Sequence, residues 1–307
     1  MNAEDSVLTI RGLTVTYPDG SRALRGVDLD VRAGSCLAVL GESGCGKSTL
    51  LAAVLGLLPR HTRVAGSVRI GDAEQVGSSE RALRQMRRTR LGFVPQDPFA
   101  AVDPLRPVLH HVRFAARAGR RRIDAVAATA RLAELGVDPD VIAARRWPHQ
   151  WSGGMLQRAC IAAATVADPP LLLADEPTSA LDPGAAASIL RALRTRSGSL
   201  VLVTHDLHAA AQVADEVAVL YAGHVVERGP AAQVLSAPRH PYTVALLAAT
   251  PRGAETPPRA LPGAPPDPRT DPPGCAFRSR CPRAQDDCTL PPPAAAVACH
   301  HPEPLHR

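Results

Sequence analysis

Lysine is almost missing from this chain: of its 35 basic residues a single one, Lys47, is lysine, and the remainder are arginine. A compact, strongly hydrated ammonium kept at one place marks a position where the planar arginine fork does not substitute. Aromatic residues are also scarce, at 3%. No apolar run approaches the roughly 18 residues of a membrane-spanning helix. The longest, Leu50 to Leu58, is far too short, so the chain is not expected to cross a bilayer by itself. Export is not expected either, because Glu4 and Asp5 stand where a basic start and an apolar core would be needed, and a cytoplasmic place is expected. The remaining composition is ordinary: 45% hydrophobic and 21% charged residues in 307 exclude wholesale disorder and suffice for a buried core. The net charge of +6 is compatible with an anionic partner without specifying one.

Residues 6 to 32 alternate apolar and polar around the turn Pro18-Asp19-Gly20, which predicts antiparallel strands. Cys36 to Leu40 reads as a buried strand, and Ser48 to Leu58 as a helix ended by Pro59. From about Arg81 to Val166 the pattern is mostly helical, with Asp124 to Leu135 amphipathic. Leu171 to Ala174 and Leu200 to Val203 are two further buried strands, with a helix at about 183 to 196 between them. Strands alternating with helices predict an α/β class with a parallel, doubly wound sheet. Composition breaks near Pro251, since 15 of the 30 prolines fall in the last 57 residues, together with Cys275, Cys281, Cys288 and Cys299. Such a segment is not expected to continue the α/β core. Cys36, Cys45 and Cys160 read as small core or loop residues.

Gly41-Glu42-Ser43-Gly44-Cys45-Gly46-Lys47-Ser48-Thr49 fits the phosphate-loop pattern G-x-x-x-x-G-K-[ST] and lies between a predicted strand and a predicted helix. Glycines let backbone N–H groups curl around phosphates, the helix N-terminus adds its positive end, Lys47 reaches the terminal phosphate oxygens, and Ser48 can ligate Mg²⁺. Further along, Asp175 and Glu176 stand at the carboxyl end of a buried strand, where an open α/β sheet places its ligand chemistry. One acid can serve the Mg²⁺ shell while the other polarises an attacking water.

With these two motifs stand Gln96 in Val94-Pro95-Gln96-Asp97-Pro98, Ser152-Gly153-Gly154-Met155-Leu156-Gln157-Arg158, the run Asp175 to Asp182, and His205 in Val203-Thr204-His205-Asp206. In this order and over residues 6 to 250 the chain resembles an ATP-binding cassette (ABC) transporter ATPase. The resemblance implies a P-loop nucleotide-binding domain with an antiparallel β subdomain and a helical subdomain, and ATP with Mg²⁺ as cofactors. It implies that Tyr17 stacks on adenine, that Ser48, Gln96 and Asp175 serve Mg²⁺, and that Glu176 is the catalytic base. Gln96 then senses the attacking water, His205 contacts the γ-phosphate and Asp182 bridges a dimer. Ser152-Gly153-Gly154 would cap the γ-phosphate held by the opposite subunit, so that one chain makes half a site.

The family signature usually reads Leu-Ser-Gly-Gly-Gln, whereas Trp151 precedes it here and Met155 ends it. Met155, Gln96-Asp97-Pro98, His240-Pro241-Tyr242-Thr243 with Leu246-Leu247, and Gly274 to Pro282 resemble the oligopeptide/dipeptide importer branch. The branch's Ser-Leu-Asn-Pro is replaced by Ala101-Val102-Asp103-Pro104. This resemblance implies an ATPase domain over 1–235, with a helical subdomain at about 97–166, and a Pro/Cys-rich extension over 236–307. Its implied partners are two transmembrane permeases, a second ATPase subunit and, indirectly, an extracytoplasmic binding protein, which place the chain peripherally at the cytoplasmic membrane face. The implied cargo is peptide, with nickel or a metal chelate as the alternative.

The spacing of Cys275, Cys281, Cys288 and Cys299 is wider than the paired knuckles of structural zinc, and disulfides are disfavoured in a reducing compartment. Four converging thiolates suit a [4Fe–4S] cluster, which relatives of this branch hold; zinc and free thiols stay open as alternatives. Such a staple would form a knob with the phosphate loop well outside it. From Arg81 to Arg122, 11 Arg oppose 2 Asp, a stretch that suits lipid headgroups, a permease or plain solvation. A soluble ABC-type ATPase acting on nucleic acid or ribosomes is the rival reading, congenial to a pI near 9.2. Such proteins carry two cassettes or a long coiled-coil insertion, and neither is seen in this sequence, so no nucleic-acid partner is expected. A regulatory protein without catalysis is opposed by the intact set Lys47, Asp175, Glu176 and His205.

Overall fold

The computed structural model describes residues 6–119, 123–143, 146–179, 181–250, 260–271 and 273–304. Ala180 of the acidic motif and Arg120 to Arg122 of the arginine-rich stretch lie outside the described residues. In chain order the elements are β1 (Ser6–Thr16), β2 (Arg22–Arg32), β3 (Cys36–Leu40), α1 (Lys47–Leu55), β4 (Arg63–Ile70), β5 (Ala73–Glu74), α2 (Glu80–Thr89) and β6 (Leu91–Val94). Next come α3 (Val108–Ala118), α4 (Ala125–Glu134), α5 (Pro139–Ala143), α6 (Gly153–Thr165), β7 (Leu171–Asp175), α7 (Pro183–Arg196) and β8 (Ser199–Val203). The last are α8 (Leu207–Val213), β9 (Glu216–Tyr221), β10 (His224–Pro230), α9 (Ala231–Ser236) and α10 (Pro241–Ala249). They divide into two compact units, one of residues 1–7, 31–36 and 78–202, the other of 8–30, 37–77 and 203–307.

In the first unit β6 and β7 run parallel, Leu91 opposite Leu171 and Val94 opposite Ala174, with β8 on the other side of β7. All five residues of β7 and all five of β8 are buried, which is why both read as unbroken apolar runs. Helix ends are chemically marked: the side chains of Ser79, Asp124, Ser152 and Asp182 each accept a first-turn N–H, and Arg87 and Arg88 sit in the last turn of α2. The helical reading of 81–166 holds for α2 through α6 but not for β6. Four residues are too few to show a period of two, and Gly92 is there for contact, since a Cβ would lie 2.4 Å from the Ala164 carbonyl oxygen. Among the described arginines of that stretch, Arg87 pairs with Glu80 and Arg88 bonds the Ala118 carbonyl.

In the second unit β1 and β2, joined through the turn at 18–20, belong to a four-stranded sheet ordered β2-β1-β4-β5. Leu8, Ile10, Leu13 and Val15 of β1 and Leu24, Val27, Leu29 and Val31 along β2 are buried, as the alternation predicts. A second sheet places β3 parallel to β9, Leu37 opposite Glu216, and adds β10 antiparallel to β9, so the parallel reading gains an antiparallel edge. The helix predicted to reach Leu58 stops at Leu55, because Gly56 adopts a left-handed cap at φ 62° and returns its N–H to the helix.

The proline-rich tail packs on the core. Phe277 is 1% exposed and packs on Tyr221 and Tyr242, with ring centroids 5.3 and 5.4 Å away, while those two tyrosines lie 4.4 Å apart. Three of the nine aromatic residues thus meet in one cluster with Ala38, Leu40, Val217 and Val219. Val297 bridges to Glu227, and the buried Glu227 carboxylate accepts the N–H groups of Arg239 and His240 at 2.8 and 2.9 Å, fixing the start of α10.

Candidate functional site

The phosphate loop leaves the buried end of β3 and turns into α1. Gly41 and Gly46 are there for close approach: at φ 155° and 111° a Cβ would lie 2.3 Å from the Leu220 oxygen and 2.5 Å from the Ala23 oxygen. Gly46 is the N-terminal cap of α1, so the loop ends on free helix N–H groups, the arrangement that attracts phosphate. Lys47 is buried and its ammonium donates to the carbonyl oxygens of Gly41 and Glu42 at 2.8 and 2.9 Å, drawing the loop into a ring. Ser43, Gly44 and Ser48 are exposed along it, whereas Cys45 is buried and its thiol is pushed up by burial against the opposing pull of Lys47. Tyr17 shares a 2.9 Å hydrogen bond with the Thr49 hydroxyl, which joins the hairpin turn to the first turn of α1. His205 is exposed in the turn between β8 and α8, where Asp206 caps the helix and the Thr204 N–H reaches the Val39 carbonyl at 3.2 Å.

The other unit carries the acids. Asp175 ends β7 with 9% exposure, and Glu176 follows at φ 42°, a left-handed conformation that an L-residue adopts at a cost and that clusters at functional sites. The parallel register of β6 and β7 brings Gln96 and Glu176 off adjacent strand ends, and the Gln96 amide donates to the Glu176 carboxylate at 3.3 Å. Ser152 caps α6 by accepting from the Met155 N–H at 3.3 Å, and Gly153 and Gly154 form the first turn. Within α6 the buried Gln157 donates to the Pro95 carbonyl at 3.3 Å, tying this helix to the residue before Gln96. A cleft is lined by Gln96, Phe99, Gly153, Gln157, Ser179 and Leu181 among others. Asp182 is exposed and caps α7, accepting from Gly184 and Ala185 at 3.1 and 3.0 Å.

Cys275, Cys281, Cys288 and Cys299 line one pocket with His240, Phe277, His300 and His301. Burial, then the neighbouring thiols, pushes the thiols of Cys275 and Cys299 up, and burial does the same at Cys281. His240 is held down to about 4 by burial and so stays neutral. Sequence reasoning missed the partners of this region. Arg25, buried in β2, pairs with Asp271 at 2.5 Å and donates to the carbonyls of Pro268 and Thr270, while Arg280 pairs with Glu42 inside the phosphate loop at 2.8 and 3.1 Å. These contacts overturn the expectation that the loop lies well outside the tail. No spacing signals a pair 238 positions apart.

A glycine loop with a buried lysine, an acid pair at a strand end with a glutamine beside it, and a serine-capped glycine helix define an ABC-type ATPase. The chain belongs to the ABC transporter family, whose model matches residues 24–179. Its C-terminal part, residues 226–288, matches the model described as oligopeptide/dipeptide transporter, C-terminal region. A dipeptide transport ATP-binding protein, DppD of Bacillus subtilis, is 37% identical over 305 residues, covering 92% of this chain and 89% of the relative. The oligopeptide transport ATP-binding protein OppD of Mycobacterium tuberculosis is 40% identical over 312 residues, and the chain spans about half of it, 51% of its length. Among solved structures, the dimeric post-hydrolysis state of the ATP-binding cassette MJ0796, bound to ADP and Pi, superposes with a TM-score of 0.66 at 28% identity, covering 73% of this chain and 98% of that one.

Proposed function

We infer that this chain is the ATP-hydrolysing subunit of an importer that takes up short peptides through partner permeases. The observation that carries the reading is the joint presence of the ABC transporter match over residues 24–179 and the oligopeptide/dipeptide C-terminal region on one chain. Among the described residues no helix is long and apolar enough to cross a membrane, which supports a peripheral subunit working on separate permeases at the cytoplasmic face. The ATPase domain spans 1–235 and the extension 236–307. Lys47 and the loop N–H groups hold the β- and γ-phosphates of ATP, Ser48, Gln96 and Asp175 serve Mg²⁺, Tyr17 stacks on the base, Glu176 polarises the water and His205 contacts the γ-phosphate. Ser152, Gly153 and Gly154 act on ATP held by a second, non-identical cassette, and Asp182 bridges the two cassettes. Mg²⁺ supplies charge neutralisation at the transferred phosphoryl group. The Gln96 amide at 3.3 Å orients the Glu176 carboxylate, whose strained backbone fixes where it points.

The four tail cysteines fit an iron–sulfur cluster better than zinc. A tetrahedral zinc with bonds of about 2.3 Å brings its sulfurs to within roughly 4 Å of one another. Among the described residues the donor atoms found mutually within 4.8 Å are those of Asp287, Cys288 and His301, and no three cysteine sulfurs meet that limit. Four thiols lining one pocket are the ligand set of a [4Fe–4S] core, which would staple the segment.

The test is hydrolysis of ATP by the chain reconstituted in vesicles with its permeases, second cassette and binding protein. Short peptides are expected to stimulate turnover several-fold. Stimulation by a nickel chelate and not by peptides would replace the cargo, and turnover indifferent to the permeases would reject the importer.

A further inference from the structure

Arg280 belongs to none of the motifs, yet its side chain is only 3% exposed. It ends the short turn Arg278–Arg280 between Cys275 and Cys281, and every polar end of its guanidinium is engaged. Nη1 donates to Glu42 Oε2 at 2.8 Å and to the Tyr221 hydroxyl at 3.2 Å, Nη2 donates to Glu42 Oε1 at 3.1 Å, and Nε donates to the Pro262 carbonyl at 2.6 Å. The Tyr221 and Phe277 rings lie 5.7 and 5.8 Å from its central carbon, so the aromatic cluster holds the plane of the fork. Two parallel bonds to one carboxylate are the geometry in which arginine binds most specifically and which lysine cannot reproduce.

Glu42 is the second residue of the phosphate loop. Its N–H donates to the Tyr242 hydroxyl at 2.9 Å, and its carbonyl accepts from Lys47 at 2.9 Å. One loop residue is thus gripped through backbone and side chain by Tyr242 of α10, by Lys47 and by Arg280 of the tail. A carboxylate in a loop that cradles a polyanion is a liability, because a partly buried charge is poorly screened and repels phosphate. The arginine that covers it among the described residues comes from between two of the clustered cysteines.

We propose that Arg280 is a positioning residue of the nucleotide site: its guanidinium clamps and neutralises the Glu42 carboxylate, so that the loop offers Lys47 and its N–H groups to ATP without an opposing charge. This rests on the reading of residues 41–49 as a phosphate loop and adds the C-terminal region to that site. Loosening the segment between Cys275 and Cys281 then weakens nucleotide binding as well as the tail.

The experiment is equilibrium binding of a fluorescent ATP analogue with Mg²⁺ to the full chain, in a Glu176→Gln background that prevents its consumption. Arg280→Ala is expected to weaken binding about tenfold at low salt, the loss of a charge-assisted pair. Arg280→Lys, which keeps the charge and loses the fork, is expected to lose about threefold. Adding Glu42→Gln to Arg280→Ala is expected to restore affinity to within about twofold of Glu42→Gln alone, and the Arg280→Ala loss is expected to shrink in high salt. Losses of Arg280→Ala and Glu42→Gln that simply add, or an Arg280→Ala affinity within twofold of the parent, would overturn the proposal. Should Arg280→Ala fail to fold, Arg280→Lys with and without Glu42→Gln makes the same comparison. Lys47→Ala separates the two readings. If it leaves affinity unchanged the phosphate loop itself is misassigned and the proposal falls with it, whereas binding that needs Lys47 but ignores Arg280 defeats the role of Arg280 alone.

Discussion

The phosphate loop and the cysteine-bearing tail are both irregular segments that reach the same aromatic residues, Tyr242 by a hydrogen bond from Glu42 and Tyr221 with Tyr242 by the ring of Phe277. They are specified in opposite ways. The loop is written in nine consecutive residues whose glycines, lysine and hydroxyls each have a task within a few ångströms of their neighbours in sequence. The tail depends on partners far away: Arg280 on Glu42, Asp271 on Arg25, Val297 on Glu227. A local motif survives translation into a pattern, whereas a contact between distant segments leaves no mark on either until the chain is folded.

Four changes sharpen that comparison, the one read in nucleotide binding first, then those read in stability from the largest effect to the smallest. Lys47→Ala removes the ammonium proposed to contact phosphate and is expected to lower ATP affinity by about ten- to a hundredfold, read by nucleotide titration. Unchanged affinity would take the loop out of the site. Phe277→Ala empties a fully buried ring site in the aromatic cluster and is expected to destabilise the second unit by about 3–5 kcal/mol. Hydrogen exchange that shows the loop and α10 as protected as before would mean that the tail is only an appendage. His240 is held down to about 4 by burial, while the unfolded chain binds its proton near 6.5. Its contribution is therefore present above pH 6.5 and is lost as pH falls toward 4, about 1 kcal/mol by pH 5.5. Thermal unfolding between pH 7.5 and 5.5 checks this, and His240→Asn is expected to flatten the slope. Asp182→Ala removes the cap of α7 and is expected to cost about 1 kcal/mol, whereas Asp182→Asn keeps it. If both variants are equally stable but both fail to pair with the second cassette, the dimer role outweighs the cap.

Much of the fold was legible. Fully buried β3, β7 and β8 and the span of α7 from Pro183 to Arg196 follow from apolar runs covered on both faces and from a capped amphipathic period. β6 was not, since four residues beside arginine-rich helices carry no readable alternation and Gly92 serves a contact visible only in three dimensions. In the site, Gln96 and Glu176 were readable one at a time, and the parallel register of β6 and β7 supplies the 3.3 Å contact between them. Phe277 hid in a proline-rich segment because composition reports what a stretch lacks, not that one ring in it fills a core. Arg280 hid for a related reason: in a chain that uses arginine for nearly every positive charge, no single arginine stands out.

The central claim is that this chain holds ATP through Lys47 and its loop and cleaves it through Glu176. The most direct measurement is ATP binding and ATP turnover on one preparation of the assembled transporter, wild type against Glu176→Gln. The account predicts retained ATP binding with turnover reduced by about a hundredfold or more, the scale of a lost general base. Turnover near wild type in Glu176→Gln would contradict it.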